Sequence, residues 1–296
     1  MNATAAANPR AYLWALRVLT VALAPLMGQA ISSATDGRSP AAAMVATIAW
    51  GAAIGCLVVD LVVPSPLGLT VLRLVLPATV PAAIVALALG ATPAWGVPAL
   101  AVALLATLVA FTAESAEAMV QGSAYGDEQR LPLRVPAALL PPMALSWMLW
   151  CAAVLAAVLL LGARQWVLGS ATTVVAGLLS WLLSRRFHRF SRRWLVVVPA
   201  GVVVHDPVVL GETLMLQRAN VTLARLAPAD TQAADLTGPA AGHALEITVR
   251  EMALAVLAAT QAAPKGQALH VQSLLVAPSR PGRALRAMAA AKVPVG

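Results

Sequence analysis

Six stretches of this 296-residue chain are apolar over about the length that crosses a bilayer: 11–31, 40–62, 69–90, 94–112, 142–161 and 167–183. A helix rises about 1.5 Å per residue, so about 20 apolar residues cover a hydrocarbon core about 30 Å thick. Inside lipid the backbone has no water to bond, so a spanning segment must satisfy its own amides, which helices do. The runs therefore predict a polytopic helical bundle. Composition agrees: 60% of residues are hydrophobic and 11% charged, where soluble domains carry roughly 25% charged residues. The first run follows a single arginine and is longer than the apolar core of a leader peptide. It is expected to be a first span and not a cleaved signal.

Cations near the span ends set the expected orientation. Five arginines, Arg185, Arg186, Arg189, Arg192 and Arg193, lie within nine residues after the last run, followed by Trp194. Cytoplasmic loops are enriched in such cations. With six spans, Arg10 and the loop 113–133 with Arg130 then share the cytoplasmic side with the C-terminal region. The chain is predicted to reside in a bacterial inner membrane with both termini cytoplasmic. Its formal charge is +8, and residues 185–296 hold 13 cations against 6 acids. Beside a membrane, such a tail points to anionic lipid and not to nucleic acid. Arginine outnumbers lysine 18 to 2, a bias that GC-rich coding produces and that suggests an actinobacterial or similar source.

Charges and prolines inside apolar runs are the first places to look for function in a membrane protein. Arg17 lies shallow enough in the first run to snorkel to headgroups. Asp60 and Arg73 flank the turn 64–68, and a structural ion pair closing that hairpin is expected. Pro77 and Pro81 each remove a backbone donor from the third run and predict a kinked or broken helix. In the loop after the fourth run, Glu114 and Glu117 read as a solvated helix face, with Asp127 and Glu128 beyond them. Residues 131–140 are apolar enough to lie along the interface. Cys56 and Cys151 sit in apolar runs and read as packing residues. His188, His205, His243 and His270 lack metal-ligand spacing, and no nucleotide-binding or hydrolase motif occurs. No catalytic residue, metal or cofactor is expected.

After Trp194 the pattern becomes β-branched and punctuated by proline and glycine. Strands are predicted at 194–198, 202–206, 213–217, 220–226, 243–250, 252–258 and 268–276, with a helix starting at Pro281. The basic junction ending in Trp194, the run 194–206, the strand pair 213–226 and a last strand passing through 277–282 into a helix together resemble bacterial pleckstrin-homology-like domains that follow membrane spans, as in actinobacterial polytopic membrane proteins. The resemblance covers about 190–292. It implies a bent antiparallel sheet of seven strands with a closing helix, of a kind that binds partners or lipids or scaffolds assemblies.

The predicted architecture is thus an α-helical polytopic membrane bundle at 1–184, a basic junction at 185–193, and a small cytoplasmic antiparallel β domain at 194–296. The expected function is a non-enzymatic scaffold or accessory subunit. Its β domain docks a protein partner or anionic lipid, with Arg185, Arg186, Arg189, Arg192, Arg193 and Trp194 facing headgroups. The alternative is a small-solute or lipid transporter that uses the kinked third span. A membrane enzyme built on the loop acids Glu114, Glu117, Asp127 and Glu128 ranks third.

Overall fold

Proline opens four of the membrane helices, because the first turn needs no amide donor and the ring fixes a helical φ. In the computed structural model, which describes residues 8–259 and 266–296, these are α1 (Pro9–Thr35), α2 (Pro40–Val62), α3 (Pro66–Ala88) and α4 (Pro93–Ala110). Side chains of Asn8, Ser39 and Ser65 cap the first three by accepting from backbone amides. A short α5 (Ala113–Gln121) and strand β1 (Gln129–Pro132) follow, then α6 (Leu140–Gly162) and α7 (Trp166–Ser191). Six of these helices are long and apolar enough to cross a membrane, and they embed the chain in one. α3 is not broken: it runs unbroken through Pro77 and Pro81.

The chain divides into two units. The first holds α1–α4, α6 and α7 up to Phe187. Buried residues of α1 recur at Leu16, Thr20, Leu23, Met27, Ala30 and Ala34. Those of α4 recur at Gly96, Ala99, Ala103, Ala106 and Ala110. Both follow alternating steps of three and four, the spacing that keeps one face turned to a neighbour. Small residues on α4 let its backbone come close to the neighbouring helices. At Gly96 a Cβ would fall 2.3 Å from a Leu87 methyl, so a larger residue there would force Leu87 to move.

The second unit joins 120–141 to 188–296. It contains β1, then β2 (Trp194–Val198), β3 (Gly201–His205), β4 (Leu214–Gln217), β5 (Val221–Leu226), β6 (Ala234–Asp235), β7 (Leu245–Leu257), β8 (Gln267–Val276) and α8 (Pro281–Ala290). One antiparallel sheet has the order β1-β2-β3-β4, and a mixed one the order β5-β7-β8-β6. The described residues thus hold eight strands where seven were expected. The segments predicted at 243–250 and 252–258 form one strand with an irregularity between Thr248 and Ala253, and β1 and β6 are additional.

Strand β1 comes from the loop between the fourth and fifth spans. It pairs with β2 in the register Gln129↔Val197 to Pro132↔Trp194. Residues 131 and 133, read from the sequence as part of an interfacial stretch, are buried core positions. Beyond β1 the chain links to the end of β8: Leu133 bridges Pro278, the Arg134 amide donates to the Ala277 carbonyl, and the Ser279 amide donates to Pro132. At another corner Leu210 bridges Leu257, and the Gly211 amide donates to Val256. The two sheets therefore close on one core, with Leu131, Leu195, Val202, Val204, Leu214 and Leu216 alternating inward, as the two-residue period of strands requires. Ala284, Ala287 and Met288, one face of α8, complete it. Gly201, at φ +152°, turns β2 into β3; a Cβ there would lie 2.1 Å from the Leu216 carbonyl oxygen.

Candidate functional site: the arginine-rich junction

Helix α7 does not stop where its apolar run stops. It continues to Ser191 and carries Arg185, Arg186 and Arg189 in its last two turns, where cations oppose the negative end of the helix dipole. Arg185 lies with its guanidinium 4.4 Å from the Trp181 ring centroid. Arg189 donates to the Pro207 carbonyl at 2.8 Å. Arg185, Arg186, Arg189 and Arg192 are all exposed.

Arg193 and Trp194 are not, which corrects their reading as lipid-facing. The Arg193 side chain is 1% exposed and that of Asp206 is fully buried. Arg193 donates to both carboxylate oxygens of Asp206, at 2.8 and 2.7 Å. It also donates to the carbonyls of Arg134 at 2.6 Å and Thr237 at 3.1 Å. Asp206 in turn accepts from the amides of Val208 and Val209. A buried guanidinium needs this many partners to offset its lost hydration. The pair closes the open end of the β2–β3 hairpin and ties it to two segments distant in sequence, the β1 extension at Arg134 and the stretch after β6 at Thr237.

Trp194 is held within the sheet. Its ring stacks on His205 of β3, with centroids 5.1 Å apart, and Arg130 of β1 lies 5.2 Å from its centroid. Arg130 pairs with Glu128 at 2.6 Å. His205 shares a hydrogen bond with Thr213 through Nδ1, while its buried Nε2 has no partner. Burial first, and then the charges of Arg192 and Arg130, hold its pKa below the usual histidine value; Asp206 pulls the other way. The unfolded chain therefore takes up this proton at higher pH than the folded one. The domain is expected to keep its full stability above about pH 6.5 and to lose part of it as pH falls below that value. Unfolding midpoints at pH 7.5 and 5.0 test this, and His205→Gln should flatten the difference.

Asp60 and Arg73 do not pair: neither takes part in the ion pairs seen at Glu128–Arg130, Arg193–Asp206 and Arg225–Glu246. Arg73 instead donates to the Ala110 carbonyl at the end of α4 and lies over Phe111. Arg17 likewise donates to Leu61 near the end of α2, so it bonds protein and does not simply snorkel to headgroups. At the far ends of α1 and α3, Arg38 donates to Ala34 and Leu89. All three arginines satisfy carbonyls that a helix C-terminus leaves without intrahelical partners. The sequence offered no sign of the contacts to Leu61, Leu89 and Ala110, because those acceptors are backbone atoms far away along the chain.

Glu114 is buried and not solvated, while Asp127 is exposed. Among the described residues no three His, Cys, Asp or Glu side chains gather as metal ligands. In the β unit an open cleft of about 320 Å³ runs between the β1–β2 edge and the end of α8, bordered by Asp127, Gln129, Arg218 and Lys292. No protein family, curated protein or solved structure matches the chain.

Proposed function

We propose that this chain is a non-enzymatic membrane scaffold or accessory subunit. Its β domain, on the cytoplasmic side, docks a partner protein or anionic lipid in the manner of pleckstrin-homology-like domains. The observation that carries the reading is the row of exposed arginines at 185, 186, 189 and 192, in the last turns of a membrane helix and just past its end. A basic residue near an anionic surface contributes about 1 kcal/mol, so four give a strong, salt-sensitive attraction. The two sheets closed on one core by a C-terminal helix are in keeping with the pleckstrin-homology-like reading, while β1 and the parallel β6 depart from the seven antiparallel strands it implies.

The test is native mass spectrometry of the full-length protein from membranes containing phosphatidylglycerol. Glutamine at the four arginines is expected to lower retained anionic lipid by about fivefold per residue removed, and added salt should do the same to the parent protein. Unchanged, salt-insensitive retention would refute the lipid part. Mild-detergent purification tests the partner part, which requires a stoichiometric companion protein.

A further inference from the structure

The membrane unit contains a cavity of about 440 Å³ walled by α1, α2 and α3 on one side and by α6 with Ser180 of α7 on the other. Its cause is legible in the chain: Ala46, Ala49 and Ala53 on α2 and Ala78, Ala82 and Ala86 on α3 line it. Side chains this small leave the space between the helices unfilled.

We infer that this cavity is a binding site for one hydrocarbon chain of a membrane lipid. Two observations select that ligand. First, every hydroxyl and indole donor in the wall is already used within the protein. Thr35 donates to Ile31, Trp50 to Ala24, Thr79 to Leu76, Trp150 to Ser180, and Ser180 to Ala176. Only the weakly polar thiols of Cys56 and Cys151 remain. A polar solute would lose its hydration and find no free hydroxyl or indole donor, only hydroxyl lone pairs, whereas an alkyl chain loses nothing.

Second, the dimensions suit a chain. The cavity lies along residues 46–56 of α2 and 75–89 of α3, lengths of about 15 and 21 Å at the helical rise. Its volume spread over those lengths gives a mean cross-section of about 20–30 Å². An alkyl chain whose carbons meet their neighbours at about 3.5–4.0 Å needs on the order of 15 Å², which this section holds. A helix about 10 Å across needs on the order of 80 Å², more than this mean section; a helix seated across the open side is the competing occupant that cross-linking of Cys56 would reveal. This inference concerns the lipid tail and stands apart from the attraction of headgroups to the junction arginines.

The experiment uses full-length protein in nanodiscs that contain a trace of phosphatidylcholine bearing a diazirine in its palmitoyl chain. After illumination, peptides covering 46–56, 75–89 and 150–159 are expected to carry at least fivefold more label than the lipid-facing segments 104–108 and 174–178. Ala49→Phe and Ala82→Phe should remove that excess and leave the label on 104–108 unchanged. Phosphatidylglycerol with the same tail should label equally, which separates tail binding from charge. Even labelling of all helices in the unsubstituted protein would overturn the inference whether or not the phenylalanine variants fold. So would exclusion of label from the walls together with cross-linking of Cys56 between two copies.

Discussion

Alanine in place of Arg193, or of Asp206, is expected to destabilise the β domain by about 3–5 kcal/mol, because each change leaves a buried charge without its partner. That is a large share of the roughly 5–15 kcal/mol that holds a typical domain together. The geometry explains why neither side chain can turn to water: both are enclosed, and the guanidinium is held at four acceptor contacts. Replacing both at once, Arg193→Met with Asp206→Leu, removes the two charges together and should be less damaging than either single alanine. Recovery will be incomplete, since the carbonyls of Arg134 and Thr237 and the amides of Val208 and Val209 lose their partners. Amide hydrogen exchange of the β2 and β3 peptides in the full-length protein reads the effect. Losses below 1 kcal/mol for both single changes would contradict it.

Leu133→Ala is expected to cost about 2–5 kcal/mol, although this residue lies in a loop between two spans and over 50 positions from the next strand in its sheet. Its side chain is 6% exposed and belongs to the same core as Leu195 and Val204. Its backbone also bridges Pro278 and donates to the Arg193 carbonyl. Leu131→Ala, at a position 3% exposed, should act similarly, and the two changes will not add simply because they share a core. The reporting amides are those of β8 and α8, distant in sequence from the change. If exchange there is unaltered while α6 responds, the loop belongs to the membrane unit and not to the β domain.

These two cases also show where sequence reading runs out. Apolar runs made the six spans legible, since lipid demands about 20 such residues each time, and the second run coincides with α2 at Pro40–Val62. The extension of α7 to Ser191 was hidden because the apolar signal stops at the headgroups, while helical hydrogen bonding does not. Strands β2, β3 and β8 announced themselves through β-branched or alternating apolar residues. β1 did not: Gln-Arg-Leu-Pro is too short to show a period of two, and Pro132 argues for a loop or an edge. Within the arginine run, nothing local distinguishes the buried Arg193 from the exposed Arg192. Only the fold brings Asp206 to one of them.

Strand β1 leaves its loop to pair with β2, which also places the loop 120–141 and the C-terminal domain on one side of the membrane. Arg130 and Val196 are directly opposite in that pairing, and Cβ atoms of opposed residues lie about 4.5–5.5 Å apart. The measurement is oxidative cross-linking in native membranes of Arg130→Cys with Val196→Cys, after Cys56 and Cys151 have been changed to serine. An efficient intramolecular disulfide joining the two peptides is the expected result. No cross-link from this pair, with both thiols still open to a maleimide, would show that β1 does not complete the domain.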